Sequence, residues 1–152
     1  MSIELLFVCA GNTCRSPMAE ALVAPLAQAA GIPAGCIRAG SAGVSASDGE
    51  PASPEAVAVM AELGIDISSH RSRRLTPELI EGADLVLAME RRHLDAVLQM
   101  APGAAGRARS LAADGIADPY MSSVDVYRYT RDQIADALRA VLSHMGDRSA
   151  SE

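Results

Sequence analysis

An apolar segment near the N-terminus runs straight into a short loop of small and polar residues, and this junction constrains the fold most. Residues 3–8 predict a buried strand, and Ser16-Pro17 predicts a helix with a serine cap and proline at its first position. Backbone N–H groups at a helix N-terminus lack intrahelical partners, and the helix dipole there favours an anion. Residues 9–16, which we call the anion-binding loop, are therefore expected to hold a negatively charged group.

Within the anion-binding loop, Cys9 and Arg15 are separated by five residues. A thiol at a helix N-terminus beside a cation ionises readily and becomes a nucleophile, and a guanidinium can hold two oxygens of one phosphate. A cysteine in such a spacing is often only a small core residue. Here the preceding strand, the internal Gly11-Asn12 pair and the following helix favour a functional loop. A nucleotide-binding loop is excluded, because its Gly-Lys-Ser/Thr ending and glycine spacing are missing.

The composition predicts a single domain with one core. The chain has 152 residues, 49% of them hydrophobic, and a formal net charge of −6. This charge argues against nucleic acid and anionic membranes as partners. No apolar run approaches the roughly 18 residues that cross a bilayer, and the N-terminus lacks the basic region of a signal peptide. We expect a cytoplasmic monomer.

The cysteines and histidines indicate neither a disulfide framework nor a metal site. Three cysteines are too few for a framework, and they lack the paired spacing of metal ligands. Cys36 stands in an apolar context that is typical of the core. The three histidines are scattered along the chain. We expect no metal and no cofactor.

Apolar and helical patterns alternate along the rest of the chain, which predicts an α/β fold with a parallel sheet and right-handed crossovers. Ligands of such sheets bind beyond the carboxyl ends of the strands, where Cys9 is expected. The predicted domain spans residues 1–146, followed by a flexible tail, 147–152. Strands are predicted at 3–8, 36–39, 85–89 and 108–111, helices at 17–30, 53–63, from 76, at 91–100 and after Ser123, and loops at 40–51 and 112–123.

A carboxylate in the second long loop is the candidate proton donor. Asp118 precedes Pro119, and proline restrains the loop and keeps Asp118 out of a helical conformation. Asp-Pro is also ordinary turn chemistry, so the catalytic interpretation depends on its pairing with Cys9. His70 is a second candidate base, although a lone histidine is more often a structural hydrogen-bond donor.

Six segments, in order along the chain, are similar to one enzyme family. They are VCAGNTCRSPMAE (8–20), SAG (41–43), ID (65–66), SHR (69–71), LAM (87–89) and DPY (118–120). Together they resemble the low-molecular-weight protein tyrosine phosphatases over nearly the whole chain. The resemblance implies a Rossmann-like fold, with a four-stranded parallel sheet and helices on both faces, and metal-independent hydrolysis of phosphate monoesters.

The resemblance also implies a role for each matching residue. Cys9 would attack phosphorus and become a phosphocysteine, Arg15 and the loop amides would hold the oxygens, and Asp118 would protonate the leaving group and then activate water. Cys14 would be a redox partner that forms a reversible disulfide with Cys9. The loop residues are Ala10, Gly11, Asn12, Thr13 and Cys14, and those that would support the loop are Asn12, Ser16, Ser41 and His70, with Ser16 donating to the thiolate.

One branch of the family, the bacterial protein arginine phosphatases, is the most similar. The chain has Thr13 where tyrosine-directed members usually carry isoleucine. Its segments 38–47 and 123–127, the latter with 130–132, resemble those of the arginine branch. Met121 departs from the glycine expected in either branch.

The predicted rim of the site also favours a guanidinium substrate over a phenol. It offers carboxylates at Asp48, Glu50 and Asp118 but few aromatic side chains, since only Tyr120 follows Asp118-Pro119. Thr13 and Tyr120 are therefore the candidate selectivity residues. We expect a phosphorylated protein as the substrate, with phosphoarginine first and phosphotyrosine as the alternative. Arsenate reduction is a distant third, because it needs further downstream cysteines and only Cys36 is available.

Overall fold

A computed structural model describes residues 2–150 of the chain, the last four by their backbone only. Strands and helices alternate, as the sequence pattern predicts. The elements are β1 (Ile3–Cys9), α1 (Arg15–Ala29), β2 (Ile37–Gly43), α2 (Pro54–Ala61), α3 (Pro77–Glu81), β3 (Leu85–Ala88), α4 (Arg91–Met100), a 3-10 helix (Pro102–Arg107), β4 (Ala108–Ser110) and α5 (Val124–Ala150).

The four strands form one parallel sheet in the order β2-β1-β3-β4. The chain leaves β1 to form β2 on one side and returns to form β3 on the other side. The carboxyl end of β1 is therefore the switch point of the sheet, where ligands of such folds bind. Cys9 is the last residue of β1 and stands opposite Gly43 of β2.

Helices cover both faces of the sheet, which confirms the predicted architecture. Alternate residues of a strand point to opposite faces, so Leu5 and Phe7 pack into one core and Leu6 and Val8 into another. Helices α1, α2 and α5 supply the first core, and α3 and α4 contribute to the second. The larger core closes against the anion-binding loop, because it includes the loop residues Cys9 and Cys14.

Two sequence-based expectations about the early elements are wrong. Strand β2 runs from Ile37 to Gly43, so most of the predicted strand lies within it, but Cys36 precedes it and residues 40–43 are strand instead of loop. The small residues at 40–43 give no strand signal, but backbone hydrogen bonds to β1 hold them in a strand. Helix α1 begins at Arg15, so Ser16 is inside the first turn and does not cap it.

The remaining boundaries up to the start of α5 differ from the predictions by no more than two residues. Thr76 caps α3 by accepting a hydrogen bond from the backbone N–H of Leu79, and the Ser123 hydroxyl accepts one from the N–H of Val126 at the start of α5. Helix α5 continues to Ala150, so residues 147–150 of the predicted tail are helical. Residues 151–152 of the predicted tail lie outside the described residues. Among residues 2–150, no helix is long and apolar enough to cross a membrane.

Candidate active site

A pocket of about 320 Å³ opens at the carboxyl end of β1. It brings Cys9, Arg15 and Asp118 together, although Asp118 is more than a hundred residues further along the chain. The anion-binding loop forms one part of its wall, the segment after β2 another, and the segment around Asp118 a third. The other lining residues are Ala10, Gly11, Thr13, Cys14, Ser45, Ala46, Ser47, Glu50 and Tyr120.

A directed chain of hydrogen bonds ends on the sulfur of Cys9. The Asn12 side-chain amide donates to the Ser16 hydroxyl oxygen at 2.8 Å, and the Ser16 Oγ lies 2.9 Å from Cys9 Sγ. Because the amide occupies a lone pair of the hydroxyl oxygen, the hydroxyl proton is free to point at the sulfur. The Ser16 hydroxyl can thus donate to the sulfur of Cys9, and this contact engages the hydroxyl that was expected to cap the helix.

Asn12 holds the anion-binding loop in a conformation that few residues adopt. Its φ is +57°, in the left-handed region. Both side-chain amide protons and both oxygens of this buried residue form hydrogen bonds. These bonds compensate for the free-energy cost of the left-handed backbone conformation. Asn12 Nδ2 also donates to Ser41 Oγ at 2.9 Å, Asn12 Oδ1 accepts from the Arg73 N–H at 2.9 Å, and Asn12 O lies 2.8 Å from His70 Nε2, which donates to it.

The structure places all four predicted support residues around the loop and adds two that the sequence analysis did not assign. Ser41 donates to Glu20 Oε1 at 2.6 Å, so its oxygen is oriented to accept from Asn12. The Arg73 side chain donates to the carbonyl of Ser41 at 2.9 Å. Glu20 belongs to the recognised segment 8–20, but Arg73 carries no sequence signal.

The guanidinium of Arg15 is buried and only partly satisfied. Its Nη1 donates to Glu90 Oε2 at 2.5 Å and to the carbonyl of Ile116 at 2.7 Å. Its Nε is buried and has no hydrogen-bond partner among the described residues. Since Nε and Nη2 share one edge of the guanidinium, this edge remains available for two oxygens of a phosphoryl group.

Glu90, at the start of α4, fixes the other edge of Arg15. Burial alone would raise the pKa of Glu90, but its hydrogen bonds to Arg15 and Arg92 lower the pKa below the ordinary value. Glu90 also shares a capping box with His93, whose Nδ1 accepts from the Glu90 N–H at 3.1 Å. Burial and the nearby Arg15 lower the pKa of His93 to about 4, so this histidine is neutral at pH 7. The sequence signal for Glu90 is its place directly after a buried strand.

Asp118 lies across the pocket from the anion-binding loop and is partly solvent-exposed. One of its oxygens is 3.6 Å from Arg15 Nη2, and the other accepts from the Tyr120 N–H at 3.0 Å. The turn over residues 118–120 therefore orients the carboxylate, as expected for Asp-Pro. Tyr120 also lines the pocket, with its side chain largely exposed.

Cys14, the other loop cysteine, is buried in the wall of the pocket. Its Sγ lies 3.2 Å from the Tyr127 hydroxyl of α5 and 3.6 Å from the Ser53 hydroxyl. Burial and the contact with Cys14 raise the pKa of Tyr127. Cys9 and Cys14 are both free thiols in the structure.

Of the three carboxylates predicted at the rim of the pocket, one lies elsewhere. Asp48 does not line the pocket, because its Oδ1 turns to accept from the Arg74 N–H at 2.8 Å. This contact fixes the loop after β2, whereas Glu50 and Asp118 do line the pocket. Asp48 is thus a loop-stabilising residue.

There is no room for a side chain at Gly43, the last residue of the SAG segment that resembles the family. The sequence alone did not predict this steric constraint. A Cβ there would overlap the carbonyl oxygen of Ala10 and lie 2.9 Å from the backbone nitrogen of Asn12. Glycine is therefore required for the anion-binding loop to approach β2.

We expect Gly43→Ala to lower kcat/KM for p-nitrophenyl phosphate by about 10²-fold or more, because a shift of roughly 1 Å misplaces the loop. Steady-state assays and Tm measurements check this expectation. Gly103→Ala is the matched control, because a Cβ at Gly103 meets no atom within 4 Å. Near-normal turnover by Gly43→Ala would contradict the steric argument.

A nucleophilic sulfur beside an oxyanion holder is the machinery of covalent phosphoryl transfer. The fold and the site thus define a cysteine-dependent phosphatase. The model of the low molecular weight phosphotyrosine protein phosphatase family matches residues 4–150. The chain belongs to this family, as the sequence resemblance predicted.

Individual relatives fall on both sides of the substrate question. A protein-arginine-phosphatase of Bacillus subtilis is 37% identical over 94% of this chain and 97% of its own length. A probable low molecular weight protein-tyrosine-phosphatase, EpsP, of Ralstonia nicotianae is 38% identical over 86% and 87%. A solved structure of the YwlE arginine phosphatase, a cysteine-to-serine mutant with a phosphorylated active-site serine, has a TM-score of 0.87 and 36% identity, covering 94% and 95%. The chain is a phosphoprotein phosphatase.

Proposed function

We propose that this phosphatase hydrolyses phosphoarginine in proteins through a phosphocysteine on Cys9. The observation that carries the mechanism is the directed hydrogen-bond chain from Asn12 through Ser16 to the sulfur. The phosphorylated serine of the related mutant structure supports a covalent intermediate at this position. Metal and cofactor have no part in the proposed mechanism.

In the first step, the Cys9 sulfur attacks phosphorus while the bond from phosphorus to the leaving atom breaks. The Nε–Nη2 edge of Arg15 and the N–H groups of residues 10–14 hold the phosphoryl oxygens as charge develops on them. Asp118 gives its proton to the departing nitrogen or oxygen, so that arginine leaves as a guanidinium, or tyrosine as a neutral phenol, and no anion is expelled.

In the second step, water attacks the phosphocysteine and the sulfur–phosphorus bond breaks. Asp118, now a carboxylate, takes a proton from this water and is thereby ready for the next substrate. The Ser16 hydroxyl stabilises the thiolate that leaves. Inorganic phosphate is the product of both steps together.

The pocket walls favour phosphoarginine over phosphotyrosine. Ser45, Ala46 and Ser47 line the wall where a phenol ring needs aromatic faces, and Tyr120 is the one aromatic lining residue in the described part of the chain. Thr13 also lines the pocket and offers a hydroxyl to a guanidinium. Phosphotyrosine remains the alternative substrate, with EpsP as a relative that supports it.

Arsenate reduction is less compatible with the position of Cys36. The carbonyl of Cys36 accepts from the N–H of Ile3, at the amino end of β1, whereas the pocket opens at the carboxyl end of the same strand. A redox relay between the two would have to cross the length of the sheet.

We expect Thr13→Ile to lower kcat/KM for a phosphoarginine peptide by about tenfold, roughly the loss of one hydrogen bond to a charged group. The value for a matched phosphotyrosine peptide should stay the same or rise. Thr13→Val is the control that removes the hydroxyl with little change in volume. A wild-type preference for phosphotyrosine that Thr13→Ile leaves unchanged would favour the tyrosine alternative.

The proposal extends to the oligomeric state and the cellular compartment of the protein. We infer a cytoplasmic monomer that meets phosphorylated proteins and neither nucleic acid nor membranes. The net charge of −6 and the small single domain support this inference.

A further inference from the structure

Glu50 is a carboxylate at the pocket that the proposed mechanism does not use. It is exposed, lines the pocket together with Asp118 and Tyr120, and has no ion-pair partner in the part of the chain that the structure describes. Asp118 differs, because it lies within 4 Å of Arg15. Glu50 is therefore the pocket carboxylate that is free to meet a cation from outside.

The backbone around Glu50 is held firmly although its side chain is free. The Glu50 N–H donates to Ser72 Oγ at 2.9 Å, and the Ser72 N–H donates to the Glu50 carbonyl at 2.7 Å. The Gly49 N–H also donates to the Ser72 carbonyl at 2.8 Å, and Ser72 itself is buried. A carboxylate on a fixed backbone loses less freedom when it binds a ligand, and this favours recognition.

The pocket carries opposite charges in two places, one beside Cys9 and one at Glu50. Arg15 and the N-terminus of α1 make the part beside Cys9 attractive to the phosphoryl group. Glu50 repels a second anion and attracts a cation at the same opening. A substrate with a phosphoryl group and a positive group nearby fits both parts.

We infer that Glu50 is a specificity-determining residue that pairs with a guanidinium or ammonium group of the substrate. This inference rests on the proposed function. The cation has two sources of the same chemistry, the phosphorylated arginine itself and a basic residue beside the phosphorylated one. In both cases Glu50 selects the substrate without taking part in the bond-breaking steps.

The test compares Glu50→Gln with the wild type on four probes. They are a phosphoarginine peptide with neutral neighbours, a phosphotyrosine peptide with neutral neighbours, the same phosphotyrosine peptide with arginine neighbours, and p-nitrophenyl phosphate. Glu81→Gln is the matched control, because it removes an equal charge from an exposed position on α3, outside the pocket.

We expect Glu50→Gln to lower kcat/KM about threefold to fivefold for the cationic probes, mostly through KM, as for an exposed ion pair. The effect should shrink at high salt. A loss on the phosphoarginine peptide identifies the modified arginine as the source, and a loss confined to arginine neighbours identifies the flanking residue. Equal values on all four probes, an equal loss on all four, or the same loss in Glu81→Gln would overturn the inference.

The design separates this inference from the proposed function. If the wild type prefers phosphotyrosine, the proposed substrate is wrong. The two phosphotyrosine peptides then still report whether Glu50 recognises a neighbouring cation.

Discussion

Cys9→Ser is expected to lower kcat for p-nitrophenyl phosphate by about 10⁴-fold or more, because it removes the nucleophile of the proposed mechanism. A serine hydroxyl is far less nucleophilic than a thiolate at neutral pH. The Ser16 hydroxyl, whose oxygen lies 2.9 Å from the sulfur, can donate a hydrogen bond but cannot deprotonate an alcohol. Steady-state turnover measures the loss. Calorimetric titration with inorganic phosphate should show that the oxyanion site is still present.

Cys36→Ser is the matched control for this loss. It is the same substitution at a half-buried cysteine that precedes β2 and does not line the pocket. We expect its kcat to be within about twofold of the wild type, since it lies away from the reacting atoms. Substantial turnover by Cys9→Ser, or inactivation by Cys36→Ser, would refute the assignment of the nucleophile.

Asp118→Asn is expected to lower kcat by about 10²- to 10⁴-fold on substrates with a basic leaving group. An amide accepts the Tyr120 N–H as the carboxylate does, so the turn should be preserved, but it has no acidic proton to give. The loss should be smaller for p-nitrophenyl phosphate, because nitrophenolate leaves without a proton. A series of aryl phosphates with increasingly basic phenols measures this dependence.

Asp114→Asn is the control for this loss, because Asp114 lies on the same loop but lines a different pocket. We expect its turnover to stay close to that of the wild type on every leaving group. An equal loss on all leaving groups in Asp118→Asn would exclude Asp118 as the acid.

Much of the fold could be predicted from local patterns. The apolar runs at the start of the chain and at 85–88 became the two central strands, β1 and β3. Pro54 and Pro77 stand at the first position of their helices, as their Ser-Pro and Thr-Pro contexts predict. These signals work because they depend on residues a few positions apart.

The errors arose where tertiary contacts override local preference. Residues 40–43 are small and carry no strand signal, yet parallel pairing with β1 makes them strand. Ser16 has the sequence context of a helix cap, but the sulfur of Cys9 and the amide of Asn12 compete for its hydroxyl. Asp48 has the context of a rim carboxylate, but the Arg74 N–H engages it.

The sequence by itself determined the chemistry of the anion-binding loop, because Cys9 and Arg15 lie six positions apart on one strand–loop–helix unit. It also predicted Asp118 as the proton donor from its Asp-Pro context, and the support residues through a resemblance to a family. Only the tertiary structure decided how Arg15 is held, since its partner Glu90 is 75 residues away and meets it through the order of the strands. The contacts of Gly43 with Ala10 and of Arg73 with Asn12 are of the same kind. Such pairs carry no local pattern, because distance along the chain does not set their separation in space.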